Sequence, residues 1–447
     1  MLIVKIILCI LLIWIFLECF VRTLAEKGVQ TDFYGSVSRT EVRDLQKKFG
    51  VKIVQGNGWF HLGWVADPEN ERYLIQKQIS EKTWKTCAEA RFGSWLAEDE
   101  VGLFRVMAIS KADGSERIIE EVSLDQAKNP PIDPGLAIPI ISGEWQYLFR
   151  PEKAGSYLND HCLFQDAHGN WRIMGISSHS RGDYKKEKRF AIGVGTNFPP
   201  KEAFVEDSPT IEGDHLAWAP YVIHDGERYH LFWSPHKLYH ATSEDGIHWG
   251  DETVVMEKPF HKFFRDGMIF KVAPGQWLMF ATGRGKWFSR IDIYQSFDLL
   301  HWQYIRPALT GWWGSERNFV TGSMESPFLI QRNGRFYLSI TYNNETFFLG
   351  AVLLQFQVYL NRKAYNNTLI FHSTSPYDFG RYRGKDASQG PVARLDCHAP
   401  VYINNDGAWY VTTCGWPFAA TLTKGEAAFA RLNWKKTNGE LNDVNKR

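Results

Sequence analysis

Apolar and polar positions alternate in short runs along most of this chain, and the runs are broken by Gly-, Asn- and Asp-containing turn dipeptides. Long amphipathic helical patterns are scarce after residue 50, so the pattern predicts an all-β protein. The runs also recur. A short apolar strand, a turn containing Gly and an aromatic-rich strand occur together five times, with turn glycines at Gly169, Gly226, Gly275, Gly334 and Gly407. Their separations run from 49 to 73 residues, enough for one four-stranded blade each, with a longer insertion in the last interval. A second repeat falls later in the unit, where Ser243-Glu244-Asp245-Gly246-Ile247-His248-Trp249 is echoed by Ser296-Phe297-Asp298-Leu299-Leu300-His301-Trp302. Two repeats in phase predict a five-bladed β-propeller over residues 146–430. Residues 31–145 lack the unit and read as a small N-terminal β-rich domain, with strands over 51–65 and 100–122, a hairpin at Asp113-Gly114 and a Pro-rich linker over 129–134. Residues 431–447 read as a polar tail.

Composition adds limits. A formal net charge of +1 gives no electrostatic reason to expect nucleic acid or an anionic membrane as partner. The aromatic share is high, at 15% with 18 Trp, which suits packed sheets as well as sugar-ring stacking. At the start, Lys5 precedes an apolar run from Ile6 to Leu17, and Thr23 and Ala25 offer small residues for cleavage. Residues 1–25 therefore read as a signal peptide and the protein as secreted or periplasmic, without a membrane partner once the signal is removed. The alternative is an uncleaved membrane anchor, if the apolar run extends through Phe20. The remaining cysteines, Cys87, Cys162, Cys397 and Cys414, have neither zinc nor redox spacing, and pairing of Cys162 with Cys397 cannot be read from sequence.

Counting nine residues back from the turn glycines gives Asp160, Asp266, Glu325 and His398, with Ala217 in the second unit. Equal spacing from an equivalent turn implies one equivalent position on the innermost strand, aimed at one axial pocket. A single Asp or Glu near a strand end ordinarily caps a turn or is solvated. Three at one phase are a cluster. Neighbouring carboxylates raise one another's pKa, so one stays protonated while another stays ionised. Glycoside hydrolysis needs that asymmetry. The rival readings are a metal site, including a structural Ca²⁺ near His398, or, for His398 itself, a packed core histidine.

At these residues the chain resembles the five-bladed propeller glycosidases of families 32, 68, 43 and 62, over roughly residues 145–420. Tyr157-Leu158-Asn159-Asp160-His161, Phe264-Arg265-Asp266-Gly267 and Met324-Glu325-Ser326-Pro327 are similar to the family 32 motifs, although His161, Gly267 and Ser326 stand where that family has Pro, Pro and Cys. Trp218-Ala219-Pro220 and His398 resemble family 43 instead. The resemblance implies Asp160 as nucleophile or general base, Asp266 as transition-state stabiliser or pKa tuner, and Glu325 as general acid/base. It also implies Arg265, Asn159, Trp218 and His398 as sugar-binding residues, with Trp313 and Trp416 as further platforms. The expected function is hydrolysis of O-glycosidic bonds in an oligo- or polysaccharide, of a fructofuranoside or arabinofuranoside kind, without a cofactor. Two alternatives stay open: a glycosyltransferring or phosphorolytic enzyme, with Arg265 and Arg284 as candidate phosphate ligands, and a carbohydrate-binding propeller that does not cleave.

Overall fold

A computed structural model describes residues 37–56, 58–98, 100–125, 135–179, 183–207, 211–261, 263–284, 289–311, 323–343, 366–382, 390–416 and 423–436. The expected signal peptide, the 129–134 linker and Trp313 lie outside them, as does most of the expected polar tail. Among the described residues no helix is long and apolar enough to cross a membrane.

The fold is nearly all β. Five antiparallel four-stranded sheets, here I to V, follow one another. Their first strands are Asn159–Gln165, Trp218–His224, Arg265–Ala273, Ser323–Arg332 and Tyr402–Asn405. In I to IV the chain meanders outward from the first strand to the fourth. Sheet V takes its fourth strand, Ala137–Phe149, from earlier in the chain, paired with Ala427–Lys436. That strand spans the boundary expected at residue 145, and its partner runs past the end expected at residue 430. Residues 137–145 and 431–436 are thus part of sheet V.

Each of the five repeats is the hairpin between the first and second strands, and its glycine has positive φ, from 64° at Gly275 to 122° at Gly226. A side chain there would be strained. The second repeat is also one structure used twice. Ser243 Oγ accepts from Gly246 N–H and Ser296 Oγ from Leu299 N–H, both at 2.8 Å. Asp245 and Asp298 each cap the two following N–H groups and bond the ring of His248 or His301. Both segments close the third strand of their sheet.

Apolar side chains fill the space between neighbouring sheets. Phe164 and Met174 of I meet Leu231 and Trp233 of II. Phe232 of II meets Met279 of III, and Phe280 of III meets Leu338 of IV. Tyr337 of IV meets Val411 of V, and Phe429 of V meets Ile173 of I.

Ahead of these sheets lie the helix Arg39–Phe49 and two small sheets. The helix was not foreseen; Ser38 caps its start and Gly50, at φ 59°, ends it. The three-stranded sheet (Val51–Gly56, Trp59–Trp64, Ser94–Glu98) and the four-stranded sheet (Asn70–Ser80, Thr83–Ala90, Gly102–Ser110, Glu116–Leu124) share a core around Leu62, Trp64, Tyr73 and Phe104. Sheet III holds them by two buried glutamines. Gln303 donates to Trp64 O at 2.5 Å and accepts from Ala66 N–H at 2.9 Å, while Gln295 donates to Gly93 O at 2.6 Å. Replacing Gln303 by Leu leaves the Ala66 amide buried without its side-chain partner, at a cost of about 1–3 kcal/mol, while Trp64 O keeps the bond from Gln295 at 3.2 Å. Chemical unfolding should show that loss, whereas Gln55→Ala, which removes an exposed bond to Asp125 O, should stay within about 0.5 kcal/mol of the parent.

Candidate active site

In sheets I to IV the ladder of the first strand is interrupted near its start. The ladder pairs Asn159 with Ile176, then skips Asp160; it pairs Arg265 with Thr282, then skips Asp266 and Gly267. Sheet II skips Ala219 and Pro220 after Trp218, and sheet IV skips Ser326 and Pro327 after Glu325. The residue after each entry position has positive φ: Asp160 at 23°, Ala219 at 47°, Asp266 at 56°, Ser326 at 49° and, in sheet V after His398, Ala399 at 43°. Non-glycine residues adopt this region only where the surroundings enforce it. The five entries converge: Asp160, Ala219, Asp266, Ser326 and Ala399 all line one small void of about 40 Å³.

This geometry corrects the sequence alignment. Glu325 and His398 are entry residues, equivalent to Asn159, Trp218 and Arg265. Asp160 and Asp266 occupy the next, left-handed position. Counting nine back mixes the two because the hairpins differ: Val272 is an extra residue in sheet III, and the turn of sheet I spans residues 166–170.

All seven expected site residues nevertheless meet. Asn159, Asp160, Trp218, Arg265, Asp266, Glu325 and His398 line a cavity of about 200 Å³, together with Ile176, Tyr184, Glu187 and Trp416. Among the described residues, no group of three or more His, Cys, Asp or Glu is arranged to hold a metal ion. The side chain of Arg284 lies outside the description.

Arg265 organises the charge. One terminal nitrogen donates to Asp266 Oδ2 and the other to Glu325 Oε2, the latter at 2.7 Å. Asp266 Oδ2 also accepts from Thr282 Oγ1 at 3.0 Å and from Ser326 N–H at 3.2 Å. The Ser326 hydroxyl donates to Asp160 Oδ1 at 2.7 Å, and Asn159 Nδ2 donates to Asp160 Oδ2 at 3.2 Å. Asn159 Oδ1 is buried and has no hydrogen-bond partner among the described residues.

Three carboxyls against one guanidinium leave negative charge uncompensated. Burial, reinforced by Asp266 and Glu325, pushes Asp160 up to about 8, and burial also raises Asp266. Burial lowers His398, so its ring is neutral. Its Nδ1 lies 3.2 Å from Cys414 O, which can only accept, so Nδ1 carries the hydrogen. The other ring nitrogen, Nε2, lies 3.9 Å from Glu325 Oε1.

Four further residues line the cavity beyond the seven. Glu187 follows the short 3₁₀ turn Tyr184–Lys186, in a connection that no spacing rule reaches. Tyr184 packs edge-on to Trp218, with ring centroids 6.4 Å apart. Trp416, a platform candidate, lines the cavity and donates from Nε1 to Glu187 Oε1 at 2.9 Å. The last is Ile176, which pairs with Asn159. Cys162 and Cys397 are free and buried.

The raised Asp160 has a sign that stability can report. The unfolded carboxyl ionises near its ordinary 3.8 while the folded one stays protonated to about 8, so its cost to the fold grows as pH rises through that window. Asp160→Asn should therefore gain thermal stability over the parent progressively from pH 4 to pH 8. A gain independent of pH would contradict the raised value.

No protein-family model matches the chain, and no curated protein matches it. Its structure is similar to that of a thermostable family-43 glycoside hydrolase, at 15% identity and TM-score 0.45 over 66% of this chain and 96% of that one. A Bombyx mori GH32 beta-fructofuranosidase gives 13% and 0.44 over 66% of this chain and 63% of the other. A GH43 beta-xylosidase/alpha-arabinofuranosidase from a compost microbial metagenome, solved in complex with xylotriose, gives 13% and 0.43 over 68% and 96%.

Proposed function

We propose that the five sheets are the blades of a propeller and that the protein is a glycoside hydrolase acting on furanosides, with Asp160 and Glu325 as its working pair. The observation that carries this reading is the convergence of Asp160, Asp266 and Glu325 with Arg265 on one cavity. Buried carboxyls at such density oppose folding, and proton transfer at a glycosidic oxygen is chemistry that uses them. Glu325 is the acid that protonates the leaving oxygen, with His398 Nε2 3.9 Å from its Oε1. Asp160 attacks the anomeric carbon or activates water, oriented by Ser326 and Asn159. Positive charge developing on the sugar ring favours the ionised form of Asp160, against the burial that protonates it in the empty cavity. Asp266, fixed by Arg265, Thr282 and the Ser326 amide, holds negative charge beside that carbon. The apolar run from Ile6 to Leu17 supports a secreted or periplasmic location, with anchorage to a membrane through that run as the alternative.

A second reading exchanges the roles, and the raised Asp160 favours it: Asp160 is the resting acid and Glu325, paired with Arg265, the ionised partner. Phosphorolysis is the weaker alternative, because both terminal nitrogens of Arg265 are already engaged by carboxylates.

Screening on fructans, arabinans and aryl furanosides tests the activity. Asp160→Asn and Glu325→Gln should each lower kcat/KM by about 10²–10⁴. Activity at the parental level in both variants refutes the assignment. The leaving group separates the roles. Loss of the acid spares a dinitrophenyl furanoside and cripples an alkyl one, while loss of the nucleophile or base cripples both. Sparing of the dinitrophenyl substrate in Glu325→Gln supports the first reading, and in Asp160→Asn the second.

A further inference from the structure

Glu187 is a fourth carboxyl on the cavity wall, and neither the repeat nor the proposed pair accounts for it. It is 1% exposed. Tyr157 Oη donates to its Oε1 at 2.7 Å, and Trp416 Nε1 donates to the same oxygen at 2.9 Å. Among the described residues no cation pairs with it and no hydrogen bond reaches Oε2. The two donors on Oε1 favour the charged form, but burial without a cation among the described residues outweighs them, which leaves a neutral acid with Oε1 as the carbonyl and Oε2 as the hydroxyl. Burial, with Asp160 adding to it, raises Glu187 to about 8, in keeping with that form. Its backbone is fixed from the neighbouring sheet, since Glu187 O accepts from Ala217 N–H at 2.8 Å, one residue before the sheet II entry. Sheet II is the one sheet whose entry pair, Trp218-Ala219, carries no ionisable or hydroxyl group; a loop of sheet I therefore brings an acid to its border.

We propose that Glu187 is a substrate-positioning acid, whose Oε2 hydroxyl donates a hydrogen bond to a ring or hydroxyl oxygen of the sugar seated against Asp160. Tyr157 and Trp416 hold Oε1 so that Oε2 stays turned to the ligand. The assignment rests on reading the cavity as a sugar site.

Binding of free D-fructose, L-arabinose, D-xylose and D-glucose to the full chain, followed by calorimetry and tryptophan fluorescence, tests it. At least one of these sugars should saturate the parent. Glu187→Met, which removes both oxygens, should weaken that sugar about tenfold to a hundredfold, while Glu187→Gln keeps an acceptor and a donor and should bind within about threefold of the parent. With an aryl furanoside, Glu187→Met should raise KM more than it lowers kcat, the reverse of Asp160→Asn. If Glu187→Met fails to fold, Trp416→Phe, which frees Oε1 from one donor, should weaken binding in the same direction. A folded Glu187→Met that binds as the parent does, or a parent that no sugar saturates, overturns the proposal. Equal loss in the Gln variant overturns the donor assignment. Unimpaired hydrolysis in Asp160→Asn and Glu325→Gln, with sugar binding lost in Glu187→Met, overturns the assignment of Asp160 and Glu325 as the working pair and leaves Glu187 as a sugar ligand.

Discussion

The site depends on the left-handed residue that follows the entry of each inner strand. In a regular strand successive side chains point to opposite faces, so neighbours cannot share a pocket. The skipped position suspends that rule. Asn159 with Asp160, and Arg265 with Asp266, both line the same cavity. Each left-handed non-glycine residue costs on the order of 1–2 kcal/mol, and the five sheets meet that cost at five places around one void. Proline follows at three of the entries, as Pro220, Pro327 and Pro400, where a missing N–H does no harm because the ladder is already interrupted. Of the ten described non-glycine residues at positive φ, five thus ring one void, and such clustering of unusual backbone is typical of functional sites.

Within that frame, Arg265 sets the charge. As an entry residue it reaches sideways to Glu325 of the next sheet, and the left-handed turn after it returns Asp266 to the same guanidinium. Asp266 and Glu325 thereby share one positive charge in a buried place. Asp160 has hydroxyl and amide donors but no cation within hydrogen-bonding distance, and so it absorbs the excess charge as a raised proton affinity. The three acids form one coupled system, and a proton belongs to the cluster before it belongs to any member.

Much of this was legible in the sequence. Turn glycines mark a backbone need that no other residue meets cheaply, so the five hairpins and the duplicated Ser-x-Asp turns could be read directly. The site residues were found by a count that reached the right neighbourhood with the wrong alignment. The triplets Trp218-Ala219-Pro220, Glu325-Ser326-Pro327 and His398-Ala399-Pro400 align without any count once the prolines, not the glycines, serve as the anchor, whereas Asn159-Asp160-His161 and Arg265-Asp266-Gly267 lack the proline and join them only through the backbone geometry. The signal was present, but turn length and the extra Val272 hid it. Strand pairing hid more. The strand Ala137–Phe149 belongs to sheet V through a partner nearly three hundred residues later, and local pattern carries no information about a partner so distant.

Glu187 shows where such reading stops for a physical reason. A repeat reveals residues that obey it, and a binding site needs residues that break the symmetry, since five equivalent walls cannot tell one face of a sugar from another. Here the break enters through the connection after Tyr184, is fixed by one backbone bond to sheet II, and is oriented by Tyr157 from before sheet I and Trp416 from sheet V. No local sequence feature marks that convergence, because its four parts are far apart in the chain and meet only when the sheets pack. The repeat therefore specifies the cavity and its charge, while discrimination between ligands falls to side chains that the repeat does not generate.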